Sequence, residues 1–272
     1  MSYRVPSSDS RFVALVSYLR DLGDVTVAFS GGVDSAFLAY VARISLGRAA
    51  VQLVTAVSPS LGSGELEHCR DLARLWDIPF QTVQTAEMEN PNYIANGYDR
   101  CYWCKVELMD AIRPIIKATG SKVVLGVNLD DLGDFRPGQK AAREAGARFP
   151  LVDTGYTKEM IREHSRMLGL STWERPQSAC LSSRIPYGTS VSIPVLSQID
   201  RAEAYLKQLG FAQVRVRHYD TTARIEFLLE DFDKVLAMRS EIISAVRNVG
   251  YRYVTMDLEG FRSGNLNAKI VP

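Results

Sequence analysis

What most constrains this 272-residue chain is the alternation, through its first half, of short β-branched apolar runs with segments of helical spacing. Residues 11–22 (RFVALVSYLRDL) have helical spacing, VTVAF (25–29) reads as a buried strand, and DSAFLAYVARISLG (34–47) reads as a helix stopped at Gly47. AVQLVTAVS (50–58), FQTVQT (80–85) and KVVLGVN (122–128) are further strands. Helices are predicted over GELEHCRDLARLWD (64–77) and KVELMDAIRPIIKATG (105–120), where Pro114 predicts a kink or an early end. Strands separated by helices imply βαβ units and a parallel sheet covered on both faces. Ligands of such sheets sit at the carboxyl ends of the strands. The polar loops SGGVDS, after VTVAF, and LDDLGDFRPG, after VVLGVN, both fall on that edge.

Residues 171–194 (STWERPQSACLSSRIPYGTSVSIP) break this pattern with prolines and hydroxyl residues, and read as a linker or an active-site loop. Beyond them, VLSQIDRAEAYLKQLG (195–210) is an amphipathic helix, VRVRHYDTTARIEF (214–227) is two strands around a turn, DFDKVLAMRSEIISAVRNVG (231–250) is a helix, and YRYVTMDLE (251–259) is a strand. The expected organisation is a parallel-sheet α/β domain over 1–190 and a smaller α/β domain over 195–272. A hydrophobic content of 46% with 23% charged residues excludes a disordered or collagen-like chain. Lys+Arg 32 against Asp+Glu 31 leaves +1, which gives no general attraction for nucleic acid. No window is apolar for long enough to cross a bilayer, and MSYRVPSSDSRF has no apolar leader core, so the expected location is the cytoplasm, away from membranes. Cysteines in that reducing compartment are expected to serve chemistry or metal rather than disulfides.

The loop Ser30-Gly31-Gly32-Val33-Asp34-Ser35 separates a buried strand from a helix. Paired glycines let backbone N–H groups turn in against an anion, and Ser30 and Ser35 add hydroxyl donors. The helix N-terminus contributes a partial charge of about +0.5. Asp34 suits a phosphate site only if Mg²⁺ bridges it to the phosphates. The glycine- and lysine-containing signature of Walker-type loops is absent. In the second loop, Asp130, Asp131, Asp134 and Glu144 stand with Arg136, Lys140 and Arg143, either as a solvated helix start or to position Mg²⁺ or substrate.

Of the four cysteines, Cys101 and Cys104 form a C-x-x-C pair in an irregular stretch, Cys180 lies in the polar loop ACLSSRIPYG, and Cys69 sits on a helix as a core residue. The pair is open to three uses: a dithiol, half a zinc site, or part of a cluster site. His68, His164 and His218 supply no partner at zinc-finger spacing. Cys180 is a candidate third cluster ligand or a sulfur-bearing nucleophile.

SGGVDS resembles the PP-loop of ATP pyrophosphatases, which split ATP between its α- and β-phosphates and transfer AMP to an oxygen. SGGVDS, RCYWCK, LGVNLDDLGDFRPGQKAAREAGARFPL, ACLSSRIPYG, VRVRHYDTTARIE and YVTMDLEGFRSGNLN, in this order, resemble the larE-type sulfur insertases along nearly the whole chain. The resemblance implies a PP-loop domain followed by the smaller domain. It implies ATP and Mg²⁺ at Ser30, Gly31, Gly32, Asp34 and Ser35, with catalysis resting on Asp34 and Cys180. It implies adenylation of the carboxylates of pyridinium-3,5-biscarboxylic acid mononucleotide and their conversion to thiocarboxylates, for the nickel-pincer cofactor of lactate racemase. Cys101, Cys104 and Cys180 match the family's three-cysteine pattern, which holds an oxygen-sensitive [4Fe–4S] cluster. The sacrificial type, which gives up a cysteine's own sulfur, lacks the C-x-x-C pair. Ser183, Arg184, Arg215 and Arg217 are the expected substrate-phosphate contacts, with Arg215 and Arg217 at period 2 on one strand face. Glu203 is the expected acidic metal or substrate ligand. A homo-oligomer, a small nucleotide substrate and a separate sulfur donor are the expected partners. The rival readings are an iron–sulfur tRNA thiolase, an ammonia-using amidotransferase and a non-catalytic nucleotide- or cluster-binding module.

Overall fold

A computed structural model describes residues 9–133, 137–176 and 179–262. Asp134 and Arg136 of the second loop and the end of YVTMDLEGFRSGNLN lie outside the described residues. The helices and strands run, in chain order, α1 (Ser10–Leu22), β1 (Val25–Ala28), α2 (Val33–Leu46), β2 (Val51–Val57), α3 (Glu65–Leu75), β3 (Phe80–Gln84), α4 (Pro91–Ile94), α5 (Arg100–Thr119), β4 (Lys122–Leu125), α6 (Pro137–Glu144), α7 (Pro150–Asp153), α8 (Lys158–Met167), α9 (Ile193–Gln208), β5 (Val214–Tyr219), β6 (Thr222–Phe227), α10 (Phe232–Ala237), α11 (Arg239–Asn248) and β7 (Tyr253–Met256). They form two compact units. One comprises Met1–Ser58, Gly64–Glu87 and Cys101–Ser178; the other comprises Pro59–Ser63, Met88–Arg100 and Ala179–Pro272.

The first unit is built on an all-parallel sheet of order β3-β2-β1-β4. Side chains alternate across a strand, so each strand feeds two cores. Val25, Val27, Val51, Leu53 and Val124 pack with Leu15 and Leu19 of α1, Phe37 and Leu38 of α2, and Ile161 of α8. Val54, Val123 and Leu125 pack instead with Leu108, Met109 and Ile112 of α5 and Ala142 of α6. This two-sided cover is why the strands read as continuous apolar runs. Helix α2 is buried nearly all round, from Val33 and Ala36–Ala39 to Val41 and Ala42, which fixes the loop that precedes it.

The C-x-x-C pair is not in an irregular stretch, because α5 starts at Arg100 and takes Cys101 and Cys104 into its first turn. The helix also continues through Pro114 to Thr119. The apolar stripe Leu108, Met109, Ile112, Ile115 and Ile116 carries its burial across the proline. Pro114 itself is on the exposed side, where a lost N–H can be hydrated.

In the second unit β5 pairs antiparallel with β6, turning at Asp220 (φ 52°), and β6 pairs parallel with β7. Val214, Val216, Ala223, Ile225 and Phe227 face Ala202 and Leu206 of α9 and Ile242 and Val246 of α11. The single helix expected over 231–250 breaks at Met238 (φ −97°, ψ 14°), a bridge-region residue that ends α10 and opens α11. Two short segments from the N-terminal half belong to this unit. Ser60 accepts a hydrogen bond from the Leu181 amide (2.9 Å), Asp200 accepts one from the Ser63 amide (2.9 Å), and Ile94 accepts one from the Val191 amide (2.9 Å).

Each unit buries a histidine against a tyrosine hydroxyl: His164 with Tyr156 (3.0 Å) and His218 with Tyr251 (3.1 Å). Burial holds both imidazoles below the ordinary histidine value, for His164 despite Asp9 at 3.9 Å. The unfolded chain therefore takes up protons first as pH falls. Stability is full above about pH 6.5 and is lost below it. The melting temperature should fall between pH 7.5 and 5.5, by roughly 2–4 °C for each kcal/mol lost. Replacing His164 and His218 together by Gln should flatten that slope, as read by circular dichroism melts across the range.

Candidate functional site

The loop after β1 is held by backbone and side-chain contacts on both sides of its Gly-Gly turn. The Phe29 amide donates to Val54 O (2.8 Å), carrying sheet bonding past the end of β1. Gly31 then takes φ 69°, and a Cβ there would lie 2.9 Å from His68 Cδ2 and 3.0 Å from Cys69 Sγ. Only glycine fits. Ser35 Oγ, at 3.1 Å from Ser30 Oγ, donates to Gly32 O (3.1 Å) and accepts from the Ser30 amide (3.3 Å), so the two serines staple the loop across the head of α2. His68 Nε2 lies 3.3 Å from Gly31 O. Burial, then the charge of Arg175, hold this imidazole low, which favours the neutral ring donating through Nε2. Arg175 is itself gripped by both oxygens of Glu65 (3.0 and 2.9 Å).

Asp34, in the first turn of α2, receives Lys158 Nζ on Oδ2 (2.6 Å) and Asn128 Nδ2 on Oδ1 (3.4 Å). Neither partner is legible in the sequence. Thr157 caps α8 and so sets Lys158 in its first turn, but 124 residues separate Lys158 from Asp34. The second loop is largely occupied with its own fold. Asn128 Oδ1 accepts from the amides of Asp130 and Asp131, Asp131 accepts from the Asn128 amide (3.2 Å), and Asp130 accepts from the Lys158 amide (2.7 Å). Glu144 accepts from Tyr102 Oη (2.8 Å), and Arg143 lies over the Phe149 ring. Gly126, directly after β4, lies against the head of α2: a Cβ would be 2.6 Å from the Ser35 nitrogen and 2.8 Å from the Asp34 carbonyl carbon.

None of the four cysteines is in a disulfide. Cys69 is fully buried, and burial pushes its thiol up to about 11, as suits a core residue. Cys101 is exposed and Cys104 half-buried, three residues apart on α5 in the first unit. Cys180 is exposed in the second unit, where it opens the 3₁₀ turn Leu181–Arg184. Among the described residues, no group of three or more His, Cys, Asp or Glu side chains is placed to hold a metal ion.

The second unit gathers the remaining expected residues on the face of β5 and β6 away from its apolar core. Arg184 and Glu203 form a buried bidentate pair (2.8 and 2.9 Å), and Glu203 also accepts from the Val216 amide (3.0 Å). Burial alone would raise the Glu203 carboxyl, but the Arg184 hydrogen bonds and charge hold it low. Arg217 pairs bidentately with Glu226 (3.0 and 2.7 Å) and reaches Ser183 O (2.7 Å). Arg224 also touches Glu226 (3.2 Å) and lies 3.6 Å from Asp257. Arg215 is buried, its guanidinium 5.3 Å from the Phe261 ring centre, and burial, then Arg184, pull its pKa down to about 10. Ser183, Arg184, Glu203, Arg215 and Arg217 thus converge. Arg184, Glu203 and Arg217 already hold internal partners, and Glu203 spends both oxygens on Arg184.

A parallel sheet whose first strand runs through a Gly-Gly turn into a buried helix, with an acid in that helix's first turn, defines an α/β protein of the PP-loop type. No family model matches the chain. It is 37% identical to the pyridinium-3,5-bisthiocarboxylic acid mononucleotide synthase of Lactiplantibacillus plantarum, over 93% of this chain and 92% of that protein. It is 45% identical to an uncharacterized protein of Synechocystis, over 95% of this chain and 97% of that one. A protein of Methanocaldococcus jannaschii is 27% identical over 88% of this chain and 91% of its own length. The chain belongs to the family of the Lactiplantibacillus synthase, the larE-type sulfur insertases. No helix among the described residues is long and apolar enough to cross a membrane.

Two substitutions test this geometry. Gly126→Ala must push the head of α2 away, since the atoms it meets are backbone, and should destabilise the protein by about 1–3 kcal/mol in urea melts. Glu203→Ala strands Arg184 in a dry site and should destabilise the protein by about 3–5 kcal/mol in urea melts.

Proposed function

We propose that the protein is an ATP-dependent sulfur transferase that adenylates the carboxylates of pyridinium-3,5-biscarboxylic acid mononucleotide and converts them to thiocarboxylates, supplying the nickel-pincer cofactor of a lactate racemase. The observation that carries this reading is the serine-stapled Gly31–Gly32 turn at the end of β1, with Asp34 beside it in the first turn of α2. Loop N–H groups and the α2 N-terminus bind phosphate oxygens. Mg²⁺, a hard cation that takes oxygen ligands, fits a site where Asp34 gives a carboxylate and the nucleotide gives phosphates, and when bound it neutralises phosphate charge. Lys158 supplies the cation that Walker-type loops carry within their own sequence.

A substrate carboxylate oxygen attacks the α-phosphorus, and the bond to the β-phosphate oxygen breaks. Pyrophosphate leaves, and a mixed anhydride with AMP remains. The Cys180 thiolate then attacks the activated carbonyl carbon, and AMP departs with the bonding electron pair. Loss of the Cys180 Cα proton to a base and cleavage of its Cβ–Sγ bond leave the sulfur on the substrate and dehydroalanine at position 180. Buried arginines on the β5 face suit the substrate phosphate, which guanidinium groups bind bidentately. The three-cysteine pattern of the family implies instead a sulfide borne on a cluster at Cys101, Cys104 and Cys180; Cys101 and Cys104 stand in the first unit and Cys180 in the second, and no step is derived through that cluster.

With the dicarboxylate nucleotide, the protein should convert ATP to AMP and pyrophosphate, and Asp34→Asn should slow this by about 100-fold. Cys180→Ala should keep pyrophosphate release but form no thiocarboxylate. Mass spectrometry after turnover should find the wild-type protein lighter by one H₂S. ADP as product, or normal release by Asp34→Asn, would overturn the adenylation reading. An unchanged protein mass, with iron and labile sulfide in anaerobic preparations, would move the sulfur to a cluster on Cys101, Cys104 and Cys180.

A further inference from the structure

The loop that carries Cys180 is built unlike an ordinary exposed connection. Its backbone is bound from within and from residues 93–100, all in the second unit. Cys180 starts it with an extended backbone (φ −57°, ψ 152°), and its carbonyl oxygen accepts both the Ser183 amide (3.0 Å) and Arg184 Nη1 (2.9 Å). Arg184 Nη1 also donates to Ala179 O (2.6 Å). With the peptide groups on either side of Cys180 fixed, the principal freedom left to its sulfur is rotation about χ1.

The second set of bonds comes from residues 93–100, which take no part in the chemistry above. Asn96 is fully buried with φ 52°, and its Nδ2 lies 2.8 Å from Pro186 O, 2.8 Å from Thr189 O and 3.4 Å from Ile185 O. Two amide hydrogens thus serve three carbonyls, with one hydrogen shared. The Asn96 carbonyl takes the Gly188 amide (3.0 Å). Asn96 Oδ1 accepts from Arg100 Nη1 (2.5 Å), which also donates to Ser182 O (2.8 Å). The Arg100 guanidinium, 3% exposed as a residue, lies 5.5 Å from the Tyr187 ring centre. Tyr93 Oη meets Ser182 Oγ at 2.6 Å, with both residues buried. Tyr93, Asn96 and Arg100 therefore grip the loop at Ser182, Ile185, Pro186, Tyr187, Gly188 and Thr189, and the next residue in the chain after Arg100 is Cys101.

A surface turn that needed only to connect two elements could leave these carbonyls to water. Burying a cation and an amide to satisfy them is the expected design where one side chain must be held in a reactive orientation, because small misplacements of a nucleophile cost large factors in rate. We infer that Arg100, Asn96 and Tyr93 are positioning residues for sulfur delivery: they hold the Leu181–Arg184 turn, and with it the backbone of Cys180, in one orientation for the transfer. The inference rests on the reading of Cys180 as the atom that delivers sulfur, and adds to it the residues that aim that atom.

The test compares wild type with Tyr93→Phe, Arg100→Lys and Arg100→Gln, using ATP, Mg²⁺ and the dicarboxylate nucleotide. Pyrophosphate release and the KM for ATP should stay within about twofold in Tyr93→Phe, whose ring still fills its site. Thiocarboxylate formed per pyrophosphate released should fall about tenfold or more. Arg100→Gln should show a larger loss of coupling, partly restored by Arg100→Lys. Unchanged coupling in Tyr93→Phe and Arg100→Gln, with melting temperatures preserved, would overturn the inference. If Arg100→Gln does not fold, Tyr93→Phe alone decides. Hydrogen exchange over peptide 179–191 reads the same grip without any chemistry: the amides of Ser183, Ile185 and Gly188 should exchange severalfold faster in Tyr93→Phe, and equal rates would overturn it. If wild type releases no pyrophosphate, the adenylation reading fails, and the exchange comparison still judges the grip.

Discussion

At the carboxyl edge of the parallel sheet, the arrangement depends on how closely the chain leaving β4 approaches the head of α2. Parallel neighbours β1 and β4 send their following loops out on the same edge, and there Gly126 lies against the backbone of Asp34 and Ser35 with no room for a Cβ. Because that contact is backbone on backbone, Asn128, two residues on, reaches the Asp34 carboxylate. The turn that Asn128 organises presents Asp130 to the Lys158 amide, and Lys158 Nζ returns to Asp34. A lysine 124 residues away is thus brought to the loop through one missing methyl group and a chain of hydrogen bonds.

The second unit solves a different problem, the burial of several guanidinium groups. Taking an ion out of water costs several kcal/mol unless its hydrogen bonds are replaced. Here Glu203 and Glu226 act as struts, each offering both oxygens to an arginine fork, and main-chain carbonyls take further N–H groups. Such a network gains little net stability over an apolar core, but it leaves each fork with one orientation. The same device recurs at Arg100, where an amide and a carbonyl receive the guanidinium.

Much of this was readable in one dimension. The apolar runs at 25–29, 50–58, 80–85 and 122–128 became the parallel strands because period and burial agree there. SGGVDS became the strand-to-helix turn because Gly31 can take φ 69° against His68. The start of α5 was misread because Cys, Tyr and Trp are modest helix formers, and only the packed stripe beyond them explains the first turn and the passage through Pro114. Glu203, expected as a metal or substrate ligand, and Arg217, expected as a phosphate contact, are each buried in an ion pair, with Arg184 and with Glu226. Which charge each one meets depended on pairing that spacing does not encode.

The sequence by itself determined the alternation of strands and helices, the position of the Gly31–Gly32 turn and the presence of a C-x-x-C pair, since each is set by local period, local backbone freedom or residue type. Only the tertiary structure decided that Lys158 and Asn128 face Asp34, that Glu203 and Glu226 are bound to arginines, and that residues 93–100 belong to the unit carrying Cys180. These are contacts between side chains far apart along the chain. Their partners are selected by which groups must be satisfied together once the cores exclude water, and that requirement has no counterpart in the order of the residues.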